Sequence, residues 1–184
     1  MKLRNKNLKI LKSNHVYSEE MEHDACGVGL VASTEGLKSR KVVEYGIDAL
    51  KAVWHRGAID ADGKTGDGAG IHIEIPKDFF EEKIEVTGHK HDNSELCVGM
   101  IFLPRNDYSA QEQCRTIVES ELTKRNFSIY GWRQVPVDPS VLGEKAEQTR
   151  PEITQVLFTY NDKKVVNKSL EQKLYETRRV IEKE

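Results

Sequence analysis

Over the first 25 residues, polar and charged side chains dominate without a sustained period, and residues 18–24 (SEEMEHD) are mostly acidic. Such a stretch reads as an extension outside a packed core. At Cys26 the pattern changes: Gly27-Val28-Gly29-Leu30-Val31-Ala32 is small and apolar and runs into Ser33-Thr34-Glu35-Gly36. That pattern predicts a buried strand ending in a turn. Between 41 and 54, Val42, Val43, Ile47, Leu50, Val53 and Trp54 recur at helical spacing, which predicts an amphipathic helix with one buried face. Five glycines then fall between 55 and 70, at Gly57, Gly63, Gly66, Gly68 and Gly70. This is too much backbone freedom for a regular element, so a long functional loop is expected.

Ile71, Ile73 and Ile75 alternate with His72 and Glu74, the period of a half-buried strand, and Pro76 stops it. A short helix is expected over 77–83. The polar stretch 87–94 separates it from an apolar run of strand length, 96–103, which ends at Pro104. A helix follows over 110–124, with Cys114, Ile117, Val118 and Leu122 on one side. Strand-like pieces cover 127–137 and 153–160, and a charged helix runs from 170 to 184. This mixture points to a layered α/β-type domain, and 184 residues suffice for one core.

Charge narrows the function classes. The 28 basic residues nearly balance the 30 acidic ones, so nothing favours a nucleic-acid partner. The basic start, MKLRNKNLKILK, is not followed by an apolar segment, and no run of about 20 apolar residues occurs anywhere. Neither export nor a membrane span is expected, and the cytoplasm is the expected compartment. Three widely spaced cysteines, Cys26, Cys97 and Cys114, argue against a disulfide framework and a zinc cluster. His89-x-His91-Asp92 in a polar loop reads as solvated rather than as a metal site, so no metal is expected. Gly27, Gly29 and Ala32 satisfy the dinucleotide fingerprint, with Glu44 and Asp48 near the acidic position. However, a strand should precede those glycines and a helix should follow, whereas here a polar stretch precedes and a strand-like run follows. No Gly-Lys-Ser/Thr accompanies the loop 66–70, so it is no phosphate cradle.

Cys26 has a distinctive position, at the first residue of an apolar run and directly after a polar extension. Were the Ala25–Cys26 bond cut, one residue would supply both nucleophile and base. A free α-amino group, with a pKa of roughly 7.7 to 8.0, can take a proton from a thiol of roughly 8.5 near neutral pH. Gly27 and Gly29 would let a substrate approach the backbone closely. Position alone leaves the other reading open, a small buried cysteine at a strand start.

Residues 22–33, EHDACGVGLVAS, are followed by His55-Arg56-Gly57-Ala58 and then Thr65-Gly66-Asp67-Gly68-Ala69-Gly70-Ile71. With Val98-Gly99-Met100-Ile101-Phe102-Leu103-Pro104, Gly131-Trp132-Arg133-Gln134-Val135-Pro136-Val137, Pro151-Glu152-Ile153 and residues 170–175 (LEQKLY), these pieces resemble, in order, the opening of glutamate synthase large subunits. The resemblance spans roughly 17–182. It implies a class II (N-terminal-nucleophile) glutamine amidotransferase domain that hydrolyses glutamine to glutamate and ammonia. The implied fold is α+β, a four-layer αββα sandwich present here in part.

By the same resemblance, residues 1–25 are a propeptide, 26–184 are the start of the amidotransferase domain, and Cys26 is the catalytic nucleophile. His55-Arg56-Gly57 matches the arginine motif of this class, which makes Arg56 a substrate-binding residue. A guanidinium suits that role because it holds carboxylates or carbonyls in fixed geometry. His55 is given no chemistry and reads as a packing or capping residue. Family members build an oxyanion hole with an Asn-Gly pair, and no Asn-Gly dipeptide occurs in these 184 residues. A second arginine and an aspartate of the glutamine site are implied downstream. The stretch is therefore expected to be inactive by itself, and the alternative is a non-catalytic fragment or regulatory domain that keeps the fold. For the complete enzyme the resemblance implies FMN, an iron-sulfur cluster, a 2-oxoglutarate site, an internal ammonia route and, in many bacteria, a small reductase subunit. None of these is expected within this segment, since Cys97 and Cys114 are not spaced as cluster ligands.

Overall fold

The computed structural model describes residues 6, 9–10, 27–54, 57–91, 94–164 and 168–184. The chain divides into two compact units, Met1–Gly57 with Ala69–Ile71, and Ala58–Gly68 with His72–Glu184.

The second unit is organised by a three-stranded antiparallel sheet of order β1-β3-β2, with β1 at Leu96–Leu103, β2 at Phe127–Gln134 and β3 at Glu152–Tyr160. In β3 every residue from Thr154 to Thr159 is buried, so side chains pointing to both faces of the sheet lie inside. Val156 and Phe158 join Cys97, Phe127, Val118, Leu122 and Leu170 in one core cluster. Val118 and Leu122 come from helix α3 (Tyr108–Lys124) and Leu170 from α5 (Lys168–Ile181). Leu157 points the other way and meets Leu96, Tyr130, Phe80 and Ile84, the last two from α2 (Lys77–Val86). Ile84 and Leu157 are fully inaccessible, and burying each such side chain contributes about 1.5–3 kcal/mol.

Local chemistry sets the element boundaries. Asp107 caps α3 by accepting from the Ala110 amide at 2.9 Å. Asn126 ends that helix in the left-handed region, φ 67°, while its carbonyl accepts from the Asn161 amide beyond β3. Gly131 sits where the β2–β3 register shifts, at φ 151°. A Cβ there would stand 2.9 Å from Thr87 Cγ2, so the bulge admits only glycine without displacement. Gln111 ties α3 to the exit of β1, its amide donating to the carbonyls of Pro104 at 2.8 Å and Arg105 at 3.2 Å.

The first unit contains α1 (Arg40–Ala52), capped by the Ser39 hydroxyl, which accepts from the Lys41 amide at 3.2 Å. The expected helix is present, but none of its residues is buried and its apolar face is only half covered. Two expected strands are not formed. Residues 27–32 carry no ladder partner among the described residues, and Val28 and Leu30 are 94% and 91% exposed. Ile71, Ile73 and Ile75 likewise form no strand; Ile75 packs against the Phe80–Ile84 cluster, while Ile71 and Ile73 are largely exposed. Alternation selects which face of a strand would be buried, but a strand exists only where a neighbouring chain accepts its hydrogen bonds. The helix α4 (Glu144–Thr149) and the 3-10 turn Pro139–Val141 were not anticipated. Asp138 accepts from the Ser140 amide, and Pro139 follows it, a helix-start signal just beyond the strand expected over 127–137. One sheet with helices on both faces is the architecture among the described residues. A second sheet, and with it the four-layer sandwich, is not present there.

Gly131→Ala is expected to destabilise the protein by about 1–3 kcal/mol, through the contact with Thr87 and the unfavourable φ, as read by urea denaturation. A second test uses pH. The nearly buried Glu121 carboxylate is held below its ordinary value of 4.5, first by Lys124 at 2.6 Å and then by Arg125. A depressed carboxylate stabilises above its unfolded pKa, and that stabilisation is lost as pH falls through the folded one. The stability difference between wild type and Glu121→Gln should therefore be constant above about pH 5.5 and shrink below about pH 4.5.

Candidate functional site

The two residues singled out from the sequence, Cys26 and Arg56, lie outside the described residues, as does His55. Their neighbours are described. Helix α1 delivers the chain to Trp54, whose carbonyl accepts from the Gly57 amide at 3.0 Å. From there the chain enters Ala58–Gly68.

That glycine-rich loop is more ordered than its composition suggests. Ile59 bridges Gly66, the Asp60 amide donates to the Thr65 carbonyl at 2.8 Å, and the Gly63 amide donates to the Asp60 carbonyl at 3.0 Å. Gly63 takes φ 69°, the left-handed region that a tight turn needs. At the tip, one oxygen of Asp62 accepts from the amides of Lys64 at 2.9 Å and Thr65 at 2.7 Å, and the other accepts from the Thr65 hydroxyl at 2.5 Å. An aspartate folding its own following backbone this way replaces the order that the glycines remove.

The loop is also fastened to α4. The Lys145 amide, in the first turn of α4, adds a small stabilisation to the ionised Asp62 carboxylate. Thr65 Oγ1 accepts from the Ala146 amide at 3.4 Å, and Lys145 Nζ reaches Asp60 at 2.7 Å. Gly143, buried at the helix start, makes the approach possible: a Cβ there would lie 2.2 Å from Thr65 Oγ1 and 2.4 Å from Asp62 Oδ2. The Thr65 hydroxyl, with the Lys64 and Thr65 amides, holds the Asp62 carboxyl far below the ordinary carboxylate range. It stays ionised at any physiological pH. Sequence inspection picked out Thr65 only as part of a motif and missed Asp62, Gly143 and Lys145. The Asp-Gly-Lys-Thr turn signal is local, but its partner lies some 80 positions away.

The remaining candidates sort themselves by environment. Burial, aided by the charges of Glu95 and Glu171, pushes the Cys97 thiol up to about 12, so Cys97 is neither a nucleophile nor a thiolate ligand at neutral pH. Cys114 is half-buried. His91 is not solvated as its polar loop suggested: its ring is 5% exposed, lies 5.8 Å from the Tyr130 ring, and places Nδ1 3.1 Å from Glu81. A nearby aromatic allows a polar loop to fold its histidine inward. Asp92 lies outside the described residues, and among the described ones no group of three His, Cys, Asp or Glu side chains is arranged to hold a metal ion. An open cleft of about 360 Å³ lies between 102–106 and 148–151. Its arginines, Arg105 and Arg150, are both engaged by Glu147.

Comparison with known proteins gives the loop and its flanks a setting. Residues 26–184 match the family described as glutamine amidotransferases class-II, so the match begins at Cys26. Over 177 residues the chain is 53% identical to a "Glutamate synthase [NADPH] large chain" of Azospirillum brasilense, covering 96% of this chain and 12% of that protein. It is 36% identical over 176 residues to a "Ferredoxin-dependent glutamate synthase" of Pyropia yezoensis, covering 95% and 11%. It is 37% identical over 155 residues to a "Glutamate synthase [NADH]" of Saccharomyces cerevisiae, covering 80% and 7%. The chain thus spans about an eighth or less of the length of these relatives. The chain belongs to the class II glutamine amidotransferases, and the stretch it represents is similar to the amidotransferase segment of glutamate synthases.

Proposed function

We propose that this chain is the glutaminase segment of a glutamate synthase, with Cys26 as its nucleophile and Arg56 as a glutamine-binding residue. The observation that carries the proposal is that the family match starts at residue 26, at a cysteine preceded by a polar extension. Removal of residues 1–25 frees the Cys26 amine, which takes the thiol proton. The thiolate then attacks the side-chain amide carbon of glutamine, the C–N bond breaks as the nitrogen leaves protonated as ammonia, and a thioester remains. Water cleaves the thioester to give glutamate and return the thiol. The Arg56 fork holds the substrate carboxylate or a backbone carbonyl of the pocket.

The ammonia then aminates 2-oxoglutarate elsewhere in the synthase chain. Flavin and iron-sulfur chemistry belong to that remainder, because the inert, buried Cys97 does not suit a cluster. A small reductase subunit and the cytoplasm are the partner and compartment proposed with it. No helix among the described residues is long and apolar enough to cross a membrane.

The proposal includes the four-layer αββα fold. Its support is uncovered apolar surface. Met100 and Phe102 share the α2 face of the sheet with Leu96 yet are 49% and 64% exposed, and Val28, Leu30, Ile71 and Ile73 are also exposed. A second sheet would bury such side chains. The segment taken alone hydrolyses glutamine poorly, because the chain has no Asn-Gly pair and the loss of one oxyanion donor costs about 100- to 1,000-fold.

The test is steady-state glutamine hydrolysis by a synthase large chain carrying this segment. Cys26→Ser is expected to abolish it. Arg56→Lys, which keeps the charge but loses the fork, should raise the glutamine KM about tenfold with kcat largely spared. Undiminished hydrolysis by Cys26→Ser would remove the proposal.

A further inference from the structure

In the second unit β1 leads through α3 to β2, and β3 lies between these two strands, antiparallel to both. β1 and β2 are therefore parallel, the two sides of a β-α-β unit split by an inserted strand. Helices α3 and α5 share one face of the sheet, since Val118, Leu122 and Leu170 meet in the cluster that holds Val156 and Phe158. On that face α3 rests on β2, where Trp132 Nε1 donates to Glu119 at 2.6 Å. Helix α5 lies towards the other side. Lys173 stands over the Tyr160 ring of β3 at 5.3 Å, and Glu171 is close enough to Cys97 of β1 for its charge to act on the thiol.

A crossover between parallel strands is right-handed in about 98% of cases. On the α3 face that hand carries the chain from β1 past β3 to β2. Because β3 runs the opposite way, the same hand carries a crossover through α5 from β3 past β1, to the outer edge of β1. That edge suits a further strand. Among the described residues β1 pairs with β3 alone, and its sequence LCVGMIFL has no charge, no proline and no register shift. The opposite edge, β2, is blunted by its bulge at Gly131 and by Arg133 and Gln134. Edges that stay open are blunted in this way, and an apolar, regular edge is a template for pairing. Met100 and Phe102 of β1 are moreover 49% and 64% exposed.

We propose that the outer edge of β1 is the docking site for one further strand, supplied by the chain that follows α5 in the synthase polypeptide and paired antiparallel to β1. The proposal rests on the reading above of this chain as a segment of a synthase. The relatives are long enough to supply the strand, since the matched stretch makes up only 12% and 11% of two of them. A connection of about 2–6 residues after α5 puts the strand within roughly 20 residues of Glu184. Its side chains alternate between the helix-covered face, beside Ile101, and the face of Met100 and Phe102, so both sets are apolar.

The experiment is made on a synthase large chain carrying this segment. Amide hydrogen exchange over residues 96–103 reads the edge without any substitution. With β3 as the sole partner, alternate amides of β1 face outward and exchange fast, whereas a strand on the outer edge protects them all. A photoreactive phenylalanine analogue, in place of Met100 and separately in place of Phe102, then identifies the occupant by mass spectrometry of the cross-linked peptides. The expected result is protection along the whole of β1, with cross-links inside one chain to the roughly 20 residues after Glu184. Fast exchange at alternate amides would overturn the proposal. So would cross-links to a second copy, seen at twice the mass, or to other parts of the chain with none to that stretch. The glutaminase reading fails separately, by undiminished hydrolysis in Cys26→Ser, a change that leaves this edge untouched.

Discussion

The structure depends on the burial of β3 from both sides. A central strand must satisfy its backbone along two neighbours and hide side chains on two faces, and β3 does both with six consecutive buried residues. Leu157 anchors one core cluster while Val156 and Phe158 anchor the other, so β1, β2, α2, α3 and α5 all organise around one nine-residue segment. Gly99 and Gly131 show how tightly the flanking strands close: a Cβ on Gly99 would meet Val156 Cγ1 at 2.8 Å, and one on Gly131 would meet Thr87. The short helix that holds the glycine-rich loop leads directly into β3, through Arg150 and Pro151. The loop's anchor is thereby only a few residues from the most buried strand of the protein.

Elements whose identity is local were legible in the sequence. The run Leu96–Leu103 is a strand because an apolar stretch is bounded by polar residues and Pro104, and α3 follows from its periodicity, although the Asp107 cap starts it two residues earlier than expected. Helix α1 was expected from the spacing of Val42, Val43, Ile47 and Leu50 with one buried face, but none of its residues is buried. Residues 27–32 and Ile71, Ile73 and Ile75 carry equally clear strand patterns without forming strands, because pairing depends on a neighbour that no local pattern contains. The glycine-rich loop failed in the opposite direction. Its glycines suggested freedom, and the order came from Asp60, Asp62 and Thr65, whose side chains bind their own backbone and a helix far along the chain.

Of the candidate site, the proposed nucleophile Cys26 and the proposed glutamine-binding Arg56 come from a resemblance in residue order, and the family match begins at Cys26. Environment adds what order cannot. Cys97 is disqualified by burial, which raises its thiol to about 12, and the charges on Arg105 and Arg150 are taken up by Glu147. These are general constraints: a nucleophilic thiol needs access and stabilisation of its anion, and an anion-binding arginine needs an unspent fork.

The central claim, that Cys26 becomes a catalytic N-terminus, is tested most directly by intact mass spectrometry. The measurement is made before and after treatment with 6-diazo-5-oxo-norleucine, a glutamine analogue that alkylates the nucleophilic thiol, on a large chain carrying this segment. The account predicts loss of residues 1–25 and a single adduct mapped to Cys26. A chain that keeps those residues and takes up no label would contradict it.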